Sequence, residues 1–311
     1  MHKVTRAIAV VNTRKAGAAA LGGKISAFLQ ARGVFCRIFQ YDGTEVGDPF
    51  ASYDFAITLG GDGTVLFAAR YCAPKGIPVF PVNLGEFGFI AGIGPERWQD
   101  ALLSYLEGNS HSTERMLLGV EVQRGADSGT VYRSCALNDC TVSGGLARIV
   151  EFRVSFQKDG GEYSFGLFKA DGVIAATPTG STAYSAAAGG PILSPDLSAF
   201  VLSPVCAFSL SSRPIVLPAS GKIRISFAGT SGFGTEGLLT VDGQETFALQ
   251  PGDGIIISRA AQPVRLIGCA PETFYQALRY KLNWSGAPVS GGKTGETAAG
   301  EAPVRQEENR D

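Results

Sequence analysis

"DFAITLGGDGTVLFAARYC" (residues 54–72) carries the reading of the fold. A buried strand-like run, DFAITL, ends on two glycines, and a helix-like run, TVLFAARYC, follows almost at once. Two apolar segments joined by so short a loop form the strand-to-helix corner of an α/β layer. Gly60, Gly61 and Gly63 lack Cβ atoms, so backbone N–H groups there can close on an anion. The helix start adds a dipole that favours phosphate. Asp62 is the odd member, because a carboxylate repels phosphate. The plain reading is a tight turn with Asp62 or Thr64 capping the helix. Two chemical readings stand beside it. Asp62 holds a magnesium ion against phosphates, or it takes the proton of an attacking hydroxyl. The loop is not a GxGxxG dinucleotide fingerprint, since Leu66 stands at the third glycine position. It is not a P-loop either, since no lysine follows.

Outward from this corner the first third alternates strand and helix. AIAVV (7–11), VFCRIFQY (34–41) and IPVFPVNL (77–84) read as strands; ISAFLQARG (25–33) and PERWQDALLSYLEG (95–108) read as helices closed by glycine. The alternation predicts a doubly wound, Rossmann-like α/β domain over residues 1–114. From 115 to 265 the texture changes to strands separated by Gly, Asp and Pro, among them TVYRSCALNDCTVSG, YSFGLFKADGVIAAT and LLTVDGQETFAL. QKDGGEY carries an Asp-Gly hairpin signal. This part predicts an all-β, sandwich-like domain. PETFYQALRYKLNW (271–284) is helical again, and the segment 266–284 is expected to return to the first domain. Residues 285–311 are rich in Gly, Ala and Glu, hold no Leu, Ile or aromatic residue, and are expected to be disordered. The SGGKT within them has Ala287 where a P-loop needs its first glycine.

The chain has 311 residues, 45% of them hydrophobic, enough for two cores. A net charge of −1 offers no basic surplus for a nucleic-acid partner. No apolar run approaches the roughly 18–20 residues that span a bilayer. The six cysteines form no CxxC pair and are read as buried hydrophobes in a reducing compartment, so a cytoplasmic location is expected. Only His2 and His111 are histidines, and neither has a convincing partner, so acid–base chemistry falls to a carboxylate.

GGDGT (60–64) resembles the signature of NAD kinases, shared more loosely with phosphofructokinases and diacylglycerol-type lipid kinases. NLGEFGFI (83–90), LNDCTVSGG (137–145), ADGVIAATPTGSTAYSAAAGGPI (170–192), VDGQE (241–245) and LRYKLNW are similar to further NAD kinase motifs in order and spacing. The likeness covers roughly residues 5–284. It implies an enzyme that phosphorylates the 2′-hydroxyl of the adenosine ribose of NAD+ with ATP and Mg2+, giving NADP+ and ADP. It makes Asp62 the general base and the loop Gly60, Gly61, Gly63 and Thr64 the phosphate cradle. Asn138 and Asp139 match the pair that grips adenosine. Lys169 and Asp171 fall in the longest motif, where Lys169 either neutralises a phosphate or pairs with Asp171. Thr182, Ala183, Tyr184, Ser185, Ala186 and Ala187 match the run lining the adenine site, and Gln244 matches a ligand-contacting glutamine. No protein ligand for the metal is implied. A homo-oligomer, dimer or tetramer, is expected, with no nucleic-acid or membrane partner. Three positions depart from the usual pattern: Phe67 replaces a basic or polar residue, Ala187 a serine and Phe208 a histidine. A lipid kinase would share the glycine loop alone, and a nucleotide-binding sensor would keep the pocket without turnover.

Overall fold

The structure is a computed structural model that describes residues 4–44, 47–85, 88–125, 129–144, 149–228, 237–269 and 272–282. The expected disorder of 285–311, the SGGKT fragment and His2 lie outside those residues.

The first sheet contains β1 (Arg6–Asn12), β2 (Phe35–Tyr41), β3 (Phe55–Gly60), β4 (Val79–Asn83), β5 (Ser112–Arg115) and the late strand β18 (Val264–Ile267), in the order β2-β1-β3-β4-β18-β5. All its pairings are parallel except β18 with β5. Every residue of β3 is buried, which explains its unbroken apolar run. Its side chains alternate between two cores. Ala56 packs with α2 (Asp62–Cys72), while Phe55, Ile57 and Leu59 pack with α1 (Ala18–Gln30) and α3 (Trp98–Leu106). Helices thus cover both faces, as a doubly wound sheet requires. The chain winds outward in opposite directions from β1 and β3, so the carboxyl ends of these two strands frame the switch-point crevice where such sheets take ligands. Pro81 sits inside β4 without breaking the sheet, because β18 pairs with β4 only at Val79 and leaves the later residues free of that ladder.

The chain then forms two antiparallel six-stranded sheets. One has the order β10-β9-β14-β17-β6-β7, from β6 (Leu118–Arg124), β7 (Gly129–Ala136), β9 (Val150–Lys158), β10 (Gly161–Ala170), β14 (Lys222–Phe227) and β17 (Gly254–Arg259). The other has the order β13-β12-β11-β8-β15-β16, from β8 (Asp139–Gly144), β11 (Gly172–Ala176), β12 (Ala199–Val205), β13 (Ile215–Pro218), β15 (Gly237–Val241) and β16 (Glu245–Leu249). Alternate residues of both, among them Val120, Phe152, Ile225 and Ile257 against Val142, Val173, Phe200 and Leu239, share one buried core. The β9–β10 turn has positive φ at both Asp159 (52°) and Gly160 (78°), the geometry that an Asp-Gly hairpin favours. The α/β plus all-β architecture is the one expected from the sequence.

Two runs that read as single strands are each broken between the sheets. TVYRSCALNDCTVSG becomes β7 and β8, and YSFGLFKADGVIAAT becomes β10 and β11. At the second break the Asp171 amide bonds the Val205 carbonyl, and Gly172 lies so close to Val142 that a Cβ would come within 3.0 Å of its carbonyl oxygen. After β18, helix α4 (Glu272–Lys281) returns to the first sheet's side, with the Phe274 ring 6.2 Å from that of Phe89. Among the described residues no helix is long and apolar enough to cross a membrane.

Candidate active site

The site begins where β3 stops. A Cβ on Gly60 would overlap the Thr64 side chain, so the turn closes only with glycine there. Helix α2 starts at Asp62 rather than at Thr64, and among the described residues no side chain caps it. The capping reading of the two residues is therefore corrected. Thr64 Oγ1 accepts a hydrogen bond from Asn12 Nδ2 at 3.1 Å, tying the end of β1 to the first turn of α2. The Asp62 carboxylate leaves its own helix. Its Oδ2 accepts the Phe89 N–H and its Oδ1 the Ala91 N–H, each at 3.1 Å. Gly88 packs against that carboxylate so closely that any Cβ would collide with it. Asp62 is half-buried, and among the described residues each of its oxygens accepts one amide and keeps further lone pairs.

Asn138 and Asp139 sit where the chain passes from β7 to β8. The Asp242 carboxylate receives the N–H groups of Leu137, Asn138 and Asp139 at 2.9, 2.7 and 3.2 Å. Gly180 lies directly against the Asn138 backbone and has no room for a Cβ. The turn walls a cavity of about 420 Å³, shared with Thr141, Ala183, Tyr184 and Gly243. Asn138 Oδ1 is buried with no hydrogen-bond partner among the described residues, a polar atom suited to a ligand donor. Burial, and then the neighbouring Asp242 charge, push the Asp139 carboxyl up to about 7; the Tyr184 amide opposes them.

The two halves are joined. Gln244 Nε2 donates to the Gly63 carbonyl at 2.6 Å, so the residue after Asp62 touches the hairpin that walls the cavity. Arg70, on the same helix as Asp62, contacts Gln244 Oε1 at 3.2 Å and Glu245 Oε1 at 3.2 Å. Glu245 in turn accepts from Tyr132 and Ser134. Sequence reasoning missed Arg70, Asp242 and Glu245 as individual residues. The available signal was an arginine inside an otherwise apolar helix.

Other predicted residues fall elsewhere. Lys169 Nζ pairs with Glu151 Oε1 at 3.0 Å, not with Asp171, and lines a separate groove of about 620 Å³ with Phe165, Leu167 and Phe208. Asp171 marks the β10–β11 break and lines neither cavity. Thr182 Oγ1 bonds the Thr179 carbonyl, and Ser185 Oγ lies 3.2 Å from Ser203 Oγ in a buried pair. Ala186 and Ala187 lie on one helical turn (Tyr184–Ala187), with Ala187 exposed. Phe67 is core, its ring stacked on Tyr41 at 4.3 Å.

Two family models match the chain: the ATP-NAD kinase N-terminal domain over residues 39–110 and the ATP-NAD kinase C-terminal domain over 145–269. An NAD kinase of Treponema denticola is 48% identical over 284 residues, which are 91% of this chain and 97% of that protein. The fold is shared with yeast NADH kinase complexed with NADH, at TM-score 0.77 and 21% identity over 95% of this chain and 91% of that one. It is also shared with an NAD kinase from Archaeoglobus fulgidus in complex with ATP, at TM-score 0.68 and 23% identity over 88% of this chain and 96% of that one. With both halves matched in order and nearly its whole length aligned to that bacterial relative, the chain belongs to the ATP-NAD kinase family of phosphotransferases.

Proposed function

We propose that this protein transfers a phosphoryl group from ATP to the 2′-hydroxyl of the adenosine ribose of NAD+, giving NADP+ and ADP, with Asp62 as general base. One observation carries the reading. The amide-held Asp62 heads a glycine loop that is hydrogen-bonded, through Gly63 and Gln244, to the hairpin walling the Asn138–Asp139 cavity. A base and an acceptor pocket are thus parts of one contiguous structure. Asp139 accepts the ribose hydroxyls, Asn138 reads the adenine edge, and Thr182, Ala183 and Tyr184 flank the ring. The loop amides from Gly60 to Thr64 face phosphate. Positioning and electrostatics supply most of the rate.

A magnesium ion fits this site as a guest of the triphosphate. Among the described residues no three His, Cys, Asp or Glu side chains group to hold a metal. Mg2+ in nucleotide sites keeps several waters and is bound largely through substrate phosphates, so the site needs no protein cage for it. When bound, the ion neutralises phosphate charge.

A homo-oligomer, dimer or tetramer, completes the proposal. The outermost strand β10 exposes Tyr163, Phe165 and Leu167 beside the 620 Å³ groove, an apolar edge that soluble proteins normally cover. Nucleotide roles for Lys169 and Asp171 belong to that assembled state. Six free cysteines, four of them buried, suit a reducing cytoplasm.

The test is purified protein with ATP, Mg2+ and NAD+, NADP+ being read by an NADP-specific dehydrogenase. Steady NADP+ formation is expected; none, beside label transfer to diacylglycerol in a parallel tube, would overturn the acceptor. A pH series refines it. Asp139 sits at about 7 and must be a carboxylate to accept both hydroxyls of the diol. The KM for NAD+ should therefore fall as pH rises from 6 to 8, and Asp139→Asn should flatten that slope. An equal slope in the variant would assign the titration to another group.

A further inference from the structure

We propose that Arg70 is a positioning residue for the transfer, fixing the register between the Asp62 loop and the turn that carries Asn138 and Asp139. Arg70 lies about two turns beyond Asp62 on α2, so the two side chains share one rigid rod. Its side chain is 5% exposed, and among the described residues its guanidinium is held by the β15–β16 hairpin: the Val241 carbonyl at 3.4 Å, Gln244 Oε1 at 3.2 Å, Glu245 Oε1 at 3.2 Å and Asp242 Oδ2 at 3.8 Å. The hairpin passes this orientation on in two directions. Gln244 holds the Gly63 carbonyl beside the base, and Asp242 holds the three amides of the Leu137–Asp139 turn.

Stability alone is a weak reason for this arrangement. The neighbours of Arg70 on α2, Val65, Leu66, Phe67, Ala68, Ala69 and Cys72, are all buried, and apolar residues often replace a whole buried ion cluster without loss. A planar fork with fixed donors does what an apolar side chain does not: it sets an angle as well as a distance. Phosphoryl transfer needs such a setting, because a displacement of about 1 Å at the reacting atoms can reduce the rate about 10²-fold.

The role rests on the NAD kinase reading, so wild-type turnover is measured in the same assay. Arg70→Met is expected to lower kcat by about 10–100-fold while the NAD+ dissociation constant, read by calorimetry, stays within about threefold. Arg70→Lys keeps the charge without the fork and should recover part of kcat. If Arg70→Met does not fold, Glu245→Gln serves. It keeps an acceptor for Tyr132 and Ser134 yet removes the nearer of the two anions facing Arg70, and it should show the same kcat-selective loss on a smaller scale. Folded variants with wild-type kcat and only a lower melting temperature would reduce Arg70 to a structural residue and overturn the proposal. So would a rise in the dissociation constant that accounts for the whole loss. A wild-type protein that makes no NADP+ overturns the kinase reading and this role with it.

Discussion

Asp62→Asn should lower NADP+ formation by about 10²–10⁴-fold, the usual range for a lost general base. NAD+ affinity should stay near wild type, because the acceptor cavity is built from Asn138, Asp139 and their neighbours and does not include Asp62. The substitution is close to isosteric, but it is not silent structurally. Both oxygens of Asp62 accept backbone N–H groups, and an amide presents a donor to one of them. Some loosening of the Gly88–Ala91 segment should appear as a lower melting temperature, which is why the rate must be compared with binding and not with stability. Turnover within about tenfold of wild type would remove Asp62 from the role of base. Recovery of the variant by raised Mg2+ would assign the carboxylate to metal holding, the other chemistry a lone acid in a glycine loop permits.

The glycine loop was legible in the sequence because it is local. A buried strand, three glycines and a helix lie within one short stretch, and each signals through its immediate neighbours. The sandwich was legible through strand-like runs separated by Gly, Asp and Pro turns. Those turn signals do not say where a strand leaves one sheet for the other. The β7–β8 corner is set by Asp242, a residue 104 positions from Asn138, and no pattern near Asn138 records it. The pairing of Lys169 with Asp171 fails for a related reason. The lysine's nearness to Asp171 in sequence suggested a pair, but strand register places it directly opposite Glu151, and Asp171 lies beyond the corner. Arg70 is the sharpest case. Its partners are 171 and 174 residues away, and within α2 it looks like a polar interruption of an apolar helix. The chemistry of this site is therefore written locally, whereas its alignment is written in contacts between distant segments.

The second large effect should come from Asp242→Ala, and it should differ in kind. Asp242 has a fully buried side chain beside Arg70, and three amides converge on its carboxylate. Burial pushes its carboxyl up to about 6, while those amides and Arg70 pull the other way, so at pH 7.5 it is an anion held by three amides with Arg70 3.8 Å away. Removing it strands three N–H donors and leaves Arg70 with Glu245 as its remaining anion among the described residues. Loss of one partner from a buried charged cluster destabilises by about 3–5 kcal/mol, with each unsatisfied donor contributing about 1–3 kcal/mol of that kind of penalty. Urea unfolding should show the loss as a lower midpoint with little change in slope. Asp242→Asn keeps one carbonyl acceptor and should fall between. The turn holding Asn138 and Asp139 depends on these bonds for its shape, so NAD+ affinity should weaken together with stability. Arg70→Met should instead weaken kcat and leave affinity nearly intact. If both variants gave the same profile, alignment and pocket formation would be one function of a single cluster. A loss in Asp242→Ala below about 1 kcal/mol would mean that water satisfies the three amides as well as the carboxylate does.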